Sequence, residues 1–134
     1  YWKKASELAE KPEAKGKAYF KIAKIYSDKG QKSSARSYAQ KAIQTGTHQT
    51  EAYNLIGNLY YTSYDQCKVD NVVKSRAIFI AAYAMYEKAG NSSMMQECKG
   101  QFPSMAEIHT YGESLGGKIN TGCWINETVT IQKR

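Results

Sequence analysis

Residues 19–26 read YFKIAKIY, and residues 53–60, 34 positions further along the chain, read YNLIGNLY. Each segment begins and ends with Tyr, and in each an isoleucine and then a small residue follow three and four positions after the first Tyr. Residues three, four and seven apart share one face of an α-helix, so the same helical face occurs twice. Self-similarity at a spacing of this size is typical of helical repeat proteins. The two segments therefore predict a stack of helix pairs.

The residues around these segments resemble the tetratricopeptide repeat (TPR) family, whose units are helix pairs of about 34 residues. In that family the second helix carries small residues with an aromatic residue between them. The matching small residues are Ala35 and Ala42 in the first unit and Ala82 and Ala89 in the second. Tyr86 takes the aromatic position in the second unit, whereas Ala39 occupies it in the first.

This chain departs from the family pattern in two ways. The second unit fits only with about a dozen additional residues between its helices, and neither unit ends in the usual Pro. The small residues nevertheless have a physical purpose, because they let two antiparallel helices approach closely. We expect Ala23 to face Ala35 in the first pair and Gly57 to face Ala82 in the second.

The resemblance implies a mainly α-helical fold, in which antiparallel helix pairs stack as a TPR-like α–α superhelix that ends in a small C-terminal β-hairpin. The repeat register predicts TPR-like repeats over residues 1–100, with a remnant of an earlier repeat at 1–14, one unit at 15–48, and a second unit with its insertion at 49–91. Residues 101–134 are predicted to form a cap with a short helix and the hairpin. Such caps shield the apolar end of a repeat stack.

Local signals predict where individual helices begin and end. A first helix is predicted over residues 1–11, where Pro12 would stop it, and a second over residues 17–29. Side chains that can cap later helices are Ser33 or Ser34, Thr50, Ser93 with Gln96, and Ser104 with Glu107. The helix after the insertion is predicted over residues 76–89.

The C-terminal residues favour β structure. Residues 121–125 and 128–132 are rich in β-branched residues and alternate in polarity, with Asn126 and Glu127 between them, which predicts a hairpin. An isolated hairpin is marginally stable in water, so we expect Trp124 and its apolar neighbours to pack on the last helices.

The C-terminal residues also resemble the ending of uncharacterised bacterial TPR proteins, many of which are exported. That resemblance favours a periplasmic or lipoprotein-anchored location over a cytoplasmic one. Tyr1 falls inside a predicted helix, so the natural chain is expected to continue upstream. No apolar run approaches the roughly 20 residues of a membrane-spanning helix.

The composition indicates the class of protein and the sign of its net charge. The chain has 134 residues, of which 42% are hydrophobic, enough for one domain with a core. Its formal net charge is +7, which favours an acidic partner or an anionic surface. Cys67, Cys98 and Cys123 have no metal-ligand spacing. They are either three buried thiols or one disulfide with one free thiol, and a disulfide would indicate an oxidising compartment.

The TPR resemblance implies a concave groove, lined by the first helix of each unit, that binds an extended peptide or a partner helix. The residues of this chain at groove positions are Lys17, Phe20, Lys21, Lys24, Ser27, Asn54, Asn58 and Tyr61. The three lysines recur at i, i+4 and i+7, so their ammonium groups share one side of the helix. With asparagine amides nearby they could hold carboxylates by charge-assisted hydrogen bonds. The alternative is that these lysines form an ordinary solvated face.

The expected function is therefore a non-catalytic protein–protein interaction scaffold with an acidic protein or peptide partner. Binding of nucleic acid through the basic face is a second possibility, although the chain has only three arginines and no recognised nucleic-acid module. A third is that the chain is a helical accessory part of a larger enzyme. His48 and His109 have no catalytic neighbours in sequence, and no phosphate loop or metal motif is present, so no catalytic residue, cofactor or metal is predicted.

Overall fold

The computed structural model describes residues 12–134, which form seven α-helices and one two-stranded antiparallel sheet. The elements are α1 Pro12–Asp28, α2 Lys32–Gln44, α3 Gln49–Tyr61, α4 Tyr64–Cys67, α5 Val72–Ala89, α6 Ser92–Gly100, α7 Met105–Thr110, β1 Lys118–Asn120 and β2 Thr128–Thr130. The helix predicted over residues 1–11 lies outside the described residues. The expected fold class, mainly helical with a small C-terminal antiparallel sheet, is confirmed.

The long helices pack in pairs, consistent with a helical repeat. Helix α1 packs against α2, α3 packs against α5, and α2 packs against α3 and so joins the two pairs. The short helix α4 lies in the insertion that was predicted within the second pair. One hydrophobic cluster runs through both pairs and contains the predicted small residues Ala23, Ala39 and Ala82.

The two pairs repeat one contact that supports the proposed register. Lys41 Nζ lies 5.8 Å from the ring centre of Tyr19, and Lys88 Nζ lies 5.3 Å from that of Tyr53. The tyrosines are 34 positions apart and the lysines are 47 apart, so the second pair contains 13 additional residues. The environments differ in detail, because Tyr19 also packs against Tyr38 with ring centres 6.3 Å apart.

The side chain nearest to Gly57 is the ring of Tyr86 on α5. A β-carbon at position 57 would lie only 2.9 Å from the Tyr86 ring, so the small residue accommodates an aromatic ring of α5. Ala82, the predicted neighbour, is fully buried in the same cluster. The prediction identified the right pair of helices and the right reason for a small residue.

Several predicted helix starts were displaced. Gly30, in the left-handed region with φ of 77°, ends α1, and Gln31 is the only residue between it and α2. Ser33 and Ser34 therefore lie within the first turn of α2 instead of capping it. In the same way His48, with φ of 56°, precedes α3 and places Thr50 inside that helix.

Among the later helices, one predicted cap is wrong and one is confirmed. Asn91, and not Ser93, caps α6, because its side-chain oxygen accepts a hydrogen bond from the backbone N–H of Met94 at 3.2 Å. Ser104 and Glu107 form the predicted capping box at α7. Helix α5 begins at Val72, four residues before its predicted start, and Asn71 caps it.

The hairpin uses a different first strand from the predicted one. Strand β1 pairs antiparallel with β2, with Lys118 opposite Thr130, Ile119 opposite Val129 and Asn120 opposite Thr128. Residues 121–127, which include the predicted first strand, form the connecting loop. The alternating polarity of residues 121–125 does not produce a strand, because Gly122 and Cys123 have φ of 67° and 57°, in the left-handed region. The predicted second strand is present as β2.

Candidate functional site

The open face of α1 carries the predicted lysine row. Lys17, Lys21 and Lys24 are all exposed, and Phe20 is half-buried between them. The ring of Phe20 stacks on His48 with centres 6.4 Å apart, and Lys24 Nζ lies 5.9 Å from its centre. Ser27, at the end of the row, is partly buried. This face therefore combines positive charge with a partly exposed aromatic ring.

The groove residues of α3 make contacts with α5 and with the residue that caps α6. Asn58 Oδ1 accepts a hydrogen bond from the Tyr86 hydroxyl at 2.5 Å, and Asn54 Oδ1 accepts one from Asn91 Nδ2 at 2.7 Å. Tyr61 packs edge-on against Phe79, with ring centres 5.5 Å apart. Each asparagine therefore uses its carbonyl oxygen within the protein, and its amide N–H groups are the donors that a partner could meet.

The hairpin packs on the helices at two places. Ile119 and Ile131 pack with Val73 of α5 and Ile108 of α7, so the apolar face of the hairpin lies on the last helices as predicted. Trp124 does not, because it docks against α2 and the end of α3, with its ring 5.6 Å from that of Tyr60.

The Arg36 guanidinium of α2 donates to the carbonyl oxygens of Ile125 at 2.6 Å and Trp124 at 3.2 Å, and it lies 5.0 Å from the centre of the Trp124 ring. The Trp124 indole N–H donates to Ser63 Oγ at 3.2 Å. The physical reason is that the turning loop exposes carbonyl oxygens, and an arginine fork satisfies two of them at once.

Tyr60 continues this polar network toward the surface. Its side chain is 1% exposed, and its hydroxyl accepts a hydrogen bond from Arg36 at 3.2 Å and donates one to Glu127 Oε1 at 3.5 Å. Burial raises the pKa of Tyr60, and the Arg36 guanidinium only partly opposes it. The phenol therefore remains protonated at neutral pH and acts as a structural donor.

A disulfide joins the insertion to the hairpin loop. Cys67 at the end of α4 is bonded to Cys123, with their Cα atoms 5.7 Å apart, and Cys98 is a free, buried thiol. Of the two alternatives drawn from the sequence, the structure therefore has one disulfide and one thiol. The bond holds the loop that carries Trp124 against the helices.

Two adjoining cavities lie on the hairpin side of the helices, away from the predicted lysine row. The larger, about 490 Å³, lies between α5 and β2, and the smaller, about 360 Å³, lies between α2, α3 and α5. Residues that line both are Tyr60, Met85, Lys88 and Glu127. Sequence analysis missed the larger cavity because it lies where the hairpin meets α5, and it missed the smaller one because that cavity depends on how three helices pack.

The two histidines differ in their surroundings, since His48 is partly buried and His109 is exposed. His48 Nδ1 lies 3.3 Å from Thr47 Oγ1, and His109 is exposed at the end of α7. Within residues 12–134, no group of three or more His, Cys, Asp or Glu side chains could hold a metal ion. In the same part of the chain, no helix is both long enough and apolar enough to cross a membrane.

Comparisons of the chain with protein-family models, with curated proteins and with solved structures found no match.

Proposed function

We propose that this protein is a TPR-like, non-catalytic interaction module that binds an acidic segment of another protein across α1 and α3. The observation that carries the proposal is the lysine row, in which Lys17, Lys21 and Lys24 are all exposed on one side of a helix. Lysines at this spacing present three ammonium groups along one line, which suits carboxylates on an extended or helical partner.

The neighbouring groups would add to that recognition. Phe20 offers a half-buried ring within the row, so an apolar side chain of the partner could pack beside its carboxylates. The amide N–H groups of Asn54 and Asn58 are additional donors on the adjacent helix. Because most of this attraction is between exposed charges, affinity should fall as salt concentration rises.

The disulfide supports an exported location, periplasmic or lipoprotein-anchored, as part of the same proposal. Disulfides persist in oxidising compartments and are rare in the cytosol, where thiols are kept reduced. Cys67 and Cys123 are joined across 56 positions of sequence, so the bond connects two separate parts of the fold. A binding module with such a bond is suited to work outside the cytoplasm.

Charge reversal tests the groove. The variant Lys17→Glu/Lys21→Glu/Lys24→Glu is compared with Lys29→Glu/Lys99→Glu/Lys133→Glu, which makes the same change in net charge at other exposed positions. The probe is a fluorescent peptide of alternating glutamate and leucine, with a glutamine analogue as the uncharged reference. Three exposed ion pairs contribute about 1 to 2 kcal/mol together, so the first variant should lose about tenfold in affinity.

The control variant should bind the glutamate peptide nearly as well as the original chain, and circular dichroism should show equal helicity in all three proteins. Equal losses of affinity in both variants would show that only the net charge matters, and would contradict binding at the lysine row. A single-stranded oligonucleotide that binds more tightly than the peptide, and loses affinity in the same variant, would favour nucleic acid instead.

A further inference from the structure

The outer edge of β2 is open. Thr121 N donates to Glu127 O at 2.8 Å, and Ile131 N donates to Gly117 O at 2.8 Å, so the backbone of residues 127 and 131 faces β1. In an antiparallel pair this orientation alternates along the strand. The backbone N–H and C=O groups of Thr128 and Thr130 therefore point away from β1. In the described chain the sheet has only two strands, so no third strand meets these groups.

The larger cavity lies along this open edge. Its lining includes Thr128 and Thr130 on one side and the C-terminal half of α5 on the other. Two of the α5 residues in this lining, Ala81 and Ala84, have only a methyl group as side chain. Strands β1 and β2 already pack on α5. An extended segment beside β2 would continue the sheet across the same helix.

The charges around this cavity differ from those on the lysine row. Its charged lining residues are Glu87, Lys88 and Glu127. The ion pairs of the described residues include neither glutamate, and Glu127 accepts a hydrogen bond from the Tyr60 hydroxyl. Lys88 directs its ammonium group toward the ring of Tyr53, at 5.3 Å from the centre. The cavity therefore favours a basic side chain at its rim, beside Glu87.

We infer that the protein has a second interaction surface, at which an extended, basic segment of another protein pairs with β2 as a third strand over α5. The backbone of that segment would bond to Thr128 and Thr130, which gives affinity without regard to sequence. Small or apolar side chains would face Ala84 and Met85, and a lysine or arginine would lie near Glu87. This surface is independent of the lysine row and takes a partner of opposite charge.

The test uses a hexapeptide of alternating threonine and valine with a lysine at each end. Its control has the same residues with N-methyl groups on alternate amides, which removes the hydrogen-bond donors that strand pairing needs. In ¹⁵N-resolved NMR spectra of the full chain, the first peptide should shift the amides of Thr128 and Thr130 and of the α5 residues that line the cavity. The methylated peptide should shift none of them at the same concentration.

Two pairs of variants locate the contact. Thr130→Pro removes an outward N–H that β1 does not use, and Thr130→Val keeps that N–H with a β-branched side chain. We expect Thr130→Pro to lose peptide binding at least fivefold and Thr130→Val to keep it. Glu87→Lys should weaken binding of the lysine peptide and strengthen that of a glutamate analogue, whereas Glu97→Lys on α6, outside the cavity, should do neither.

Three results would overturn the inference. The first is failure of the unmethylated peptide to shift the β2 amides at millimolar concentration. The second is equal binding of the methylated peptide, or shifts that cluster on α1 instead. The third is concentration-dependent dimerisation of the chain in sedimentation experiments that Thr130→Pro abolishes, because the open edge would then be occupied by a second copy.

Discussion

Gly57 of α3 lies against the ring of Tyr86 of α5, so close that an added β-carbon would be 2.9 Å from the nearest ring atom. The corresponding residues of the first pair, 34 and 47 positions earlier, are Ala23 and Ala39, and both are fully buried. At these positions the first pair has two methyl groups, whereas the second pair has the aromatic ring of Tyr86 opposite a glycine, which has no side chain. This exchange of volume keeps both helix pairs closely packed.

The first prediction concerns this contact. Gly57→Ala should lower the free energy of unfolding by about 1 to 3 kcal/mol, because the ring must move to admit the methyl group. Gly100→Ala is the matched control, since a β-carbon there meets nothing within 4 Å, and it should be neutral or stabilising. In the Tyr86→Ala background Gly57→Ala should no longer destabilise, because the double variant has the same alanine pair as the first unit. Urea denaturation of the four variants measures this, and additive effects would contradict the packing argument.

The second prediction concerns the disulfide. Cys67→Ser/Cys123→Ser should lower the free energy of unfolding by about 4 kcal/mol, the loop-closure value for a bond that spans 56 positions. Adding a reductant should destabilise the original chain by a similar amount and leave the double variant unchanged. A thiol assay in denaturant should find one free thiol before reduction and three after. Three thiols before reduction would show that the bond does not form.

The third prediction concerns Cys98. Burial raises the pKa of this thiol to about 12, and the charge of Glu97 adds to the shift. The folded chain therefore keeps the proton at pH values where the unfolded chain loses it, so stability should fall as pH rises above about 8.5. The slope should be smaller in Cys98→Ala. A thiol reagent at pH 8 should label Cys98 only after unfolding, and rapid labelling of the native chain would contradict its burial.

The fourth prediction concerns Glu107. Its pKa is lowered first by the hydrogen bond from the Ser104 backbone N–H, at 2.8 Å, and further by the nearby charges of Arg76 and Arg134. A lowered pKa means that the carboxylate stabilises the folded chain above its unfolded pKa of about 4.3, and this stabilisation disappears as pH falls through the folded value. Glu107→Gln should therefore be less stable than the original chain at pH 7, with the difference shrinking toward about pH 3.

Glu87→Gln is the control for this experiment, because Glu87 is exposed on α5 and has no ion-pair partner in the described chain. At pH 7 its effect on the free energy of unfolding should be smaller than that of Glu107→Gln. A Glu107→Gln difference that stayed constant from neutral to acidic pH would assign the effect to packing instead of charge.

Part of the candidate site could be predicted, and part could not. The exposed row of Lys17, Lys21 and Lys24 followed from helical spacing, since a helix that buries Ile22 and Ala23 must present those lysines outward. The roles of Asn54 and Asn58 did not follow, because their partners belong to other elements of the fold. The cavity beside β2 had no signal in sequence at all.

The sequence by itself determined the helix pairs, the place of the insertion and the capping box of α7, because periodicity and capping act over a few residues or at one fixed offset. Only the tertiary structure decided where Trp124 docks, which cysteines pair and which edge of the hairpin stays open. Arg36 meets the carbonyl oxygens of Trp124 and Ile125 across 88 and 89 positions of sequence. Such contacts depend on how already formed helices leave space and unpaired polar groups, and no local pattern records that.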